Sequence, residues 1–189
     1  MSKAEQIAEA AEALFYQEGF HGTGIDRIVQ AAQVTPRTLY RHYASKDALV
    51  SAVLARREAR YVSRMERDAA AHATRHGDPL LALFDALAAW FGSEGDGGCM
   101  FLKAFGEYSA HEPEVAEAVK DHKQRVLSDL RRRTGEAGLD PDGGLPEQLM
   151  LLMEGATALA PILGGEVAAS RARAAALTLL RAAYAESGR

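Results

Sequence analysis

The sequence predicts an all-α protein, and three observations lead to that prediction. Apolar residues recur at the three- and four-residue spacing of helices along most of the 189-residue chain. Four of the six prolines, at positions 36, 79, 113 and 146, stand where a helix is expected to begin, the position that tolerates the missing N–H of proline. No stretch alternates apolar and polar residues for long enough to indicate a strand.

The first helix is predicted over residues 3–18, and Gly19 is expected to end it. Its apolar face consists of Ile7, Ala11, Leu14 and Phe15. A short second helix follows, with Thr23 as its expected N-cap. Its apolar residues again fall on one face: Ile25, Ile28, Val29 and Ala32. Gln33 and Val34 are predicted to form a tight turn after it.

The third predicted helix is short and has a polar outer face. Thr35 is a good N-cap, and Pro36 occupies the first helical position. Leu39 is the apolar anchor, and one or both tyrosine rings are expected to face inward with it. The remaining side chains are mostly hydrogen-bond donors: Arg37, Thr38, Tyr40, Arg41 and His42. Such a helix suits a DNA major groove better than a protein core.

Two cations stand near helix N-termini, where they oppose the helix dipole. Lys46 follows Ser45, the expected cap of a fourth helix, and Arg37 lies near the start of the third. Exposed cations at such positions are common and cost only a few tenths of a kcal/mol. Together with the helix-turn-helix spacing, however, they favour a clamp on the DNA backbone, because a phosphate would bind the free N–H groups and the cations together.

The stretch from Phe20 to Leu49 resembles the DNA-binding domain of the TetR/AcrR family of transcriptional regulators. The resemblance covers roughly the first 55 residues without a gap. It is carried by Phe20, Thr23, Ile28, Ala31, Ala32, Val34, Thr35, Thr38, Leu39, Tyr40, His42, Tyr43, Ser45, Lys46 and Leu49, with Ile7, Ala11, Leu14, Phe15 and Gly19 before them. Two departures are Pro36-Arg37, which adds an arginine at the base-reading end, and Gly24, where the family often has a hydroxyl.

The charge distribution also indicates a nucleic-acid partner, although the net charge is −4. Between Arg27 and Arg64 the only acidic residues are Asp47 and Glu58. The basic residues of that segment are Arg27, Arg37, Arg41, Lys46, Arg56, Arg57, Arg60 and Arg64. A basic segment on an otherwise acidic chain is typical of DNA-binding proteins.

Composition narrows the class of protein further. The single cysteine, Cys99, excludes an internal disulfide and suits the reducing cytoplasm. The N-terminal segment carries acidic residues and lacks a continuous apolar core, so no secretion signal is expected. No apolar run reaches the length that crosses a bilayer. We therefore expect a cytoplasmic protein that needs no cofactor.

The rest of the chain is predicted to be helical with two loops. The fourth helix is expected from Lys46 to about His76, and the others over residues 80–91, 99–110, 113–133, from Pro146 to near Gly164, and 166–186. The two loops are the glycine-rich segments 92–98 and 134–144. The domains are then 1–47, which binds DNA, and 48–189, which binds an effector and dimerises.

The last two predicted helices, over about 146–187, carry alanine-rich faces that allow close approach. An internal hairpin and a four-helix bundle with a second copy account for these faces equally well. The family resemblance favours the bundle, because its members dimerise through their last two long helices. A homodimer would place two recognition helices about 34–36 Å apart on a pseudo-palindromic operator.

The resemblance also implies a small-molecule effector pocket in the middle of the chain. Such pockets are mostly apolar with a few polar groups. For any single aromatic residue there, a place in the core is the better interpretation. The sixth helix, which follows a glycine-rich hinge, is the exception, because its side chains are expected to contact the effector. The predicted lining is Trp90, Phe101, Phe105, Tyr108 and Met153, with Glu107 as its polar group or, alternatively, in a surface salt bridge.

Two other classes of protein fit the sequence less well than a regulator. An enzyme is not expected: His72 and His76 have a metal-binding spacing but lack the glutamate of a zinc protease motif, and Pro113 separates His111 from His122. A helical interaction module without DNA binding leaves the exposed Thr35–Thr38 segment unexplained. Regulation by oxidation of Cys99 stays open, although a buried cysteine more often acts as a small apolar residue.

The sequence thus predicts an N-terminal three-helix helix-turn-helix domain and a C-terminal helical domain, about nine helices in all. The protein is expected to be a homodimeric one-component regulator, a repressor that a small molecule releases from its operator. Arg37 is the expected base contact, and Thr38, Tyr40, His42 and Lys46 are the expected phosphate contacts. The DNA-binding set is completed by Arg27, Thr35, Pro36 and Arg41.

Overall fold

The computed structural model describes residues 1–110 and 112–188, without the side chain of His76. These residues form helices and no β-strand, which confirms the all-α prediction. The helices are α1 Lys3–Glu18, α2 Ile25–Ala31, α3 Pro36–His42, α4 Lys46–His76, α5 Leu81–Trp90, α6 Met100–Tyr108, α7 Pro113–Glu136, α8 Leu145–Leu163 and α9 Gly165–Glu186. A π-helical turn, Phe91–Gly95, follows α5 directly.

The chain folds into two compact units whose limits differ from the two expected domains. Unit 1 comprises Met1–Arg60 and Met100–Asp121, and unit 2 comprises Tyr61–Cys99 and His122–Arg189. The division falls within α4 rather than after Asp47, and α6 belongs to unit 1. The expected boundary between residues 47 and 48 remains a prediction about function.

In unit 1 the helix-turn-helix is held by buried apolar side chains and by the predicted turn. Ile7, Phe15, Phe20, Ile28 and Leu39 are fully buried. Gln33 adopts a positive φ of 50°, and the Val34 N–H donates to the Val29 carbonyl oxygen at 3.0 Å. The turn therefore brings α3 back against α1 and α2.

Two of the three predicted helix caps are confirmed. The Thr35 hydroxyl accepts from the Thr38 N–H at 3.2 Å, and the Ser45 hydroxyl accepts from the Ala48 N–H at 3.0 Å. The prediction for Thr23 was wrong. Its hydroxyl donates to the Gly19 carbonyl oxygen at 2.7 Å, while Gly24 takes the N-cap position of α2 without a side-chain cap. Thr23 therefore stabilises the turn that precedes α2, not the helix itself.

In unit 2 the core is formed by α5, α8 and α9, with apolar side chains of α4 and α7 against them. Helices α8 and α9 are joined by Gly164 alone and pack through buried alanines: Ala156, Ala160, Ala168, Ala172 and Ala176. Arg173 on α9 donates to both carboxylate oxygens of Asp85 on α5, at 2.7 and 3.3 Å. Small side chains thus let the two helices approach, and an ion pair fixes α5 to α9.

The π-helical turn occupies part of the segment that the sequence predicted as a flexible loop. The Ser93 hydroxyl donates to the carbonyl oxygens of Ala89 and Trp90, each at 3.2 Å. Glu94 forms an ion pair with Arg64 at 3.5 Å. Gly95 lies directly against the Trp90 indole ring, which is buried. These contacts give the glycine-rich segment an ordered helical turn.

We expect Gly95→Ala to lower the free energy of unfolding by about 1–3 kcal/mol. A Cβ at this position would approach the indole of Trp90 to well under 3.0 Å, so the ring would have to move in a filled core. Gly92→Ala is the matched control in the same turn, because a Cβ there meets nothing within 4 Å. That variant should be neutral or slightly more stable. Urea unfolding of both would check this, and equal stabilities would contradict it.

Candidate nucleic-acid interface

The inner side of α3 is fixed to the rest of unit 1 by two side chains. Leu39 is fully buried. The Tyr43 hydroxyl, just after the helix, donates to the Ala4 carbonyl oxygen at 2.9 Å on α1. Because the anchor and this hydrogen bond lie on the same side, the opposite side of α3 is left to face solvent.

The outer side of α3 carries the polar residues that the sequence predicted. Pro36, Arg37, Arg41 and His42 are exposed, and Thr38 is half-buried. Tyr40 is 51% exposed, although it is a large aromatic residue. Arg37, Thr38, Tyr40 and Arg41 line an open groove of about 460 Å³. The structure thus brings these four predicted DNA-binding residues together on one solvent-facing surface.

The positive charges at this surface are not neutralised by acidic side chains in the described part of the chain. Among the described residues, Arg37, Arg41 and Lys46 form no ion pair. Lys46 is half-buried in the first turn of α4, where Ser45 caps the helix. The N–H groups of a helix start and a lysine ammonium together attract phosphate. The arrangement is suited to a DNA backbone beside the exposed face of α3.

The rest of the predicted basic segment has protein partners instead. Arg27 on α2 is exposed, and its guanidinium pairs with Glu18 at 3.1 Å. Arg64 in unit 2 pairs with Asp68 at 3.0 Å and with Glu94. The charge count over residues 27–64 therefore overstated the DNA-facing charge, because ion pairs neutralise several of those arginines.

Three more arginines of α4 surround one buried carboxylate in unit 1. Glu12 on α1 is only 6% exposed. Its carboxylate pairs with Arg57 at 3.1 Å, with Arg60 at closer range, and with Arg56 at 3.6 Å. The Arg57 guanidinium also lies over the Tyr16 ring, 4.8 Å from its centre. These arginines hold α1 and α4 together rather than facing a nucleic acid.

Comparison with known proteins identifies this arrangement. The family described as bacterial regulatory proteins, tetR family, matches residues 7–53. SCO4454, a TetR-family transcriptional regulator from Streptomyces coelicolor, superposes on 97% of both chains with a TM-score of 0.83 and 29% identity. The chain belongs to the TetR family.

Curated relatives are similar over shorter stretches. The HTH-type transcriptional regulator UidR of Escherichia coli K12 is 34% identical over 59 residues, 31% of this chain and 30% of UidR. The HTH-type transcriptional repressor NemR of the same organism is 28% identical over 125 residues, 66% of this chain and 63% of NemR. This TetR-family chain thus spans about a third of the length of UidR in that match. The family match over residues 7–53 includes the exposed α3 surface.

The six residues predicted to line an effector pocket divide between the two units of this TetR-family chain. Trp90 and Met153 are buried in the core of unit 2. Phe101, Phe105, Glu107 and Tyr108 belong to α6 in unit 1. Neither unit by itself brings all six together. Glu107 also has partners other than those predicted, because its carboxylate accepts hydrogen bonds from the backbone N–H groups of Phe20 and His21.

Unit 2 contains a polar cluster that the sequence analysis missed. Lys123 on α7 pairs with Glu154 on α8 at 2.7 Å, and its Nζ lies 3.4 Å from the Cys99 Sγ. Tyr61 stands edge-on to Trp90, with ring centres 5.3 Å apart. Burial raises the pKa of the Tyr61 hydroxyl, and the Glu154 carboxylate raises it further. The signal was present, because Lys123 falls in the helical spacing of Val119, Val126 and Leu130.

The structure describes only part of the two histidine pairs whose spacing bears on a metal site. His111 and the side chain of His76 lie outside the described residues. In the part of the chain that is described, no three His, Cys, Asp or Glu side chains are grouped so as to hold a metal ion. Among the same residues, no helix is both long and apolar enough to span a bilayer.

Proposed function

We propose that this chain is a one-component transcriptional regulator of the cytoplasm. It binds a pseudo-palindromic operator as a homodimer, represses transcription, and leaves the operator when a small molecule binds. The observation that carries the proposal is the exposed face of α3, together with cations beside the capped start of α4 that pair with no acidic side chain among the described residues. Cations at a helix start oppose the helix dipole, and a protein-interaction surface does not explain them. A phosphate backbone does, because it binds the cations and the free N–H groups together.

The proposed contacts follow from the exposure of each side chain. Arg37 stands at the first turn of α3, the end that enters the major groove, and is suited to a bidentate contact with guanine. Thr38, Tyr40, His42 and Lys46 contact phosphates, and Thr35 and Arg41 serve either role. Pro36 sets the direction of the helix start. Arg27 reaches DNA only by exchanging its partner Glu18 for a phosphate.

The proposed dimer interface is the exposed apolar face of α8 and α9. Leu151 is 72% exposed and Ile162 76% exposed, although both are large apolar side chains. Leu159, Leu163 and Val167 continue the same face. Monomeric proteins rarely expose a contiguous apolar surface of this kind, and a second copy would cover it by forming a four-helix bundle. The dimer would present two copies of α3 to successive major grooves.

The proposed effector contacts begin with Trp90 and Met153, which lie in the helical core of unit 2. The ion pair of Lys123 and Glu154 adds a polar group of the kind that orients ligands in mostly apolar sites. A ligand that binds one spacing of the two α3 helices better than another would shift the dimer toward that spacing. Repression would then end because the favoured spacing no longer fits the operator.

The proposal is tested by binding to duplex DNA, with anisotropy measured over a salt titration. The duplex is taken from upstream of the coding sequence or selected from a random library. Arg37→Ala should cost about 1–3 kcal/mol and relax the preference at one base position. Lys46→Ala should weaken binding to all sequences alike and reduce the slope of log K against log salt by about one.

Arg75→Ala is the matched control, because Arg75 is an exposed arginine of unit 2 and its removal changes the net charge equally. It should leave both affinity and salt slope near those of the wild type. A change of sequence preference in Lys46→Ala, with an unchanged salt slope, would contradict the phosphate role. Failure to select any sequence from a random library would overturn the proposed function itself.

A further inference from the structure

The end of α6 is joined to the turn between α1 and α2 by one carboxylate. Glu107 Oε1 accepts from the Phe20 N–H at 3.0 Å, and Oε2 accepts from the His21 N–H at 2.5 Å. Two successive backbone N–H groups that point the same way form an anion-binding concavity. Here a side chain from 86 residues further along the chain fills that concavity. Nothing in the DNA-binding assignment accounts for this carboxylate.

Other contacts hold the same two segments together. The His21 ring Nε2 lies 2.8 Å from the Glu107 carbonyl oxygen, and the ring stacks on Tyr108 with centres 4.8 Å apart. Tyr108 also stands edge-on to Phe20 at 5.9 Å. Tyr108 is only 2% exposed. One turn earlier on α6, Lys103 donates to the Tyr16 carbonyl oxygen at 2.9 Å, near the end of α1. The last two turns of α6 are therefore fixed to the end of α1 and to the turn after it.

The shape of that turn depends on the Glu107 carboxylate. Gly19 has a φ of 83°, and a Cβ there would lie 3.1 Å from Glu107 Oε1. The Thr23 hydroxyl closes the turn onto the Gly19 carbonyl oxygen, and α2 begins two residues later. The position of α2 relative to α1 is thus set by a turn of which Glu107 is the outer support. Helix α3 follows α2 through a turn of only a few residues, so a shift of α2 would carry α3 with it.

We propose that Glu107 is a positioning residue for DNA recognition. It touches no DNA but holds the α1–α2 turn, and thereby the direction in which α2 and α3 leave α1. The proposal rests on the proposed function, because its readout is the affinity for DNA. It assigns to α6 a structural part in the DNA-binding unit, in place of the effector contact predicted for Glu107.

Two variants separate positioning from a simple effect of charge. Glu107→Gln keeps the size of the side chain but removes its charge, and Glu107→Asp keeps the charge but shortens the reach. If only charge mattered, the Gln variant would bind DNA more tightly, because a negative charge is lost, and the Asp variant would be unchanged. Under the proposal both variants bind more weakly. The loss should be about tenfold, the scale of one charge-assisted hydrogen bond.

The experiment measures the full-length protein on a duplex selected from a random library with the wild type. Amide hydrogen exchange is measured in parallel. Exchange at Phe20 and His21 should become about tenfold faster in both variants, because their N–H groups lose a charged acceptor. The salt slope should stay that of the wild type, since no phosphate contact is lost. Glu114→Gln is the control: Glu114 is an exposed carboxylate at the start of α7 in the same unit.

Weaker binding by both variants, with faster exchange confined to the turn and an unchanged salt slope, supports the positioning role. Unchanged or tighter binding by Glu107→Gln overturns it, and so does unchanged exchange at Phe20 and His21. Loss of secondary structure at the assay temperature in step with affinity would also overturn it, because the weaker binding would then reflect unfolded protein. If the wild type selects no duplex, DNA recognition itself is refuted. Failure of the Glu107 role alone leaves binding by the wild type and by Glu114→Gln intact.

Discussion

Replacing Glu12 by alanine is expected to lower the free energy of unfolding by about 3–5 kcal/mol. The side chains of Glu12 and Arg57 are each 8% exposed, and the carboxylate and the guanidinium lie 3.1 Å apart. Removing the carboxylate takes away the charge that compensates for burying Arg57, while Arg56 and Arg60 lose their shared partner. Breaking a buried pair in this way costs more than the pair contributes, because one charge stays desolvated. Urea unfolding followed by circular dichroism measures the loss.

Glu9→Ala provides the matched control. Glu9 also lies on α1 and pairs with Arg56, but it is 59% exposed and its oxygen is 3.8 Å from the guanidinium. An exposed pair of this kind is worth between nothing and about 1 kcal/mol. A similar loss in Glu9→Ala and Glu12→Ala would show that surface charge, and not the buried cluster, stabilises the junction of α1 with α4.

The second large effect is expected at the exposed apolar face of unit 2. A Leu151→Glu, Ile162→Glu double variant should be monomeric at concentrations at which the wild type is dimeric. Both side chains are more than 70% exposed, so charges there leave the fold of one chain intact but would be buried against a second copy. Sedimentation equilibrium measures the association. Operator affinity should fall by about 10²–10⁴-fold, because the two half-sites are then bound independently.

Val62→Glu is the control for that variant. Val62 is another exposed apolar residue of unit 2, 39% exposed, but it lies on α4. It should remain dimeric and keep its affinity for the operator. If the double variant stays dimeric, the face of α8 and α9 is not the interface, and the proposed spacing of the recognition helices falls with it.

The helix-turn-helix could be predicted because its signals are local. Thr35, Pro36 and Ser45 specify helix starts within a few residues of themselves, and Leu39 is the one large apolar residue of a short helix. Such signals do not depend on distant parts of the chain. The exposed face of α3 followed directly from them.

Ion-pair and hydrogen-bond partners that lie far apart in the chain could not be predicted in the same way. Arg57 and Arg60 counted as DNA-facing cations because a charge total contains no information about their partner on α1. Glu12 falls at helical spacing from the buried Ala8 and Phe15, but its charge alone predicts an exposed side chain. Glu107 finds its partners 86 and 87 residues earlier in the chain. A carboxylate at a position where helical spacing predicts an apolar residue, as at Glu12, is therefore a sequence signal for a buried ion pair.

The glycine-rich segment after α5 shows a different limit. Its composition predicts a loop, because glycine is flexible in the unfolded chain. At Gly95 the missing side chain instead makes room for the Trp90 ring, and at Gly165 for Phe91. The sequence does not distinguish a glycine that gives flexibility from one that makes room for a packed side chain. The difference depends on which side chain lies against the glycine in the folded protein.

The composition of unit 1 from two separate segments imposes an order on synthesis and folding. Residues 61–99 lie between its two parts, so the ribosome must complete unit 1 long after it has made the helix-turn-helix. At about 5–20 residues per second, several seconds pass between the emergence of Arg60 and that of Asp121. During that time Phe20 and its neighbours lack α6, whose Phe101 and Tyr108 are buried in the finished unit. The nascent helix-turn-helix therefore exposes apolar surface during this interval. Unit 1 is completed by α6 and the first part of α7, which are made after α5 but before α8 and α9.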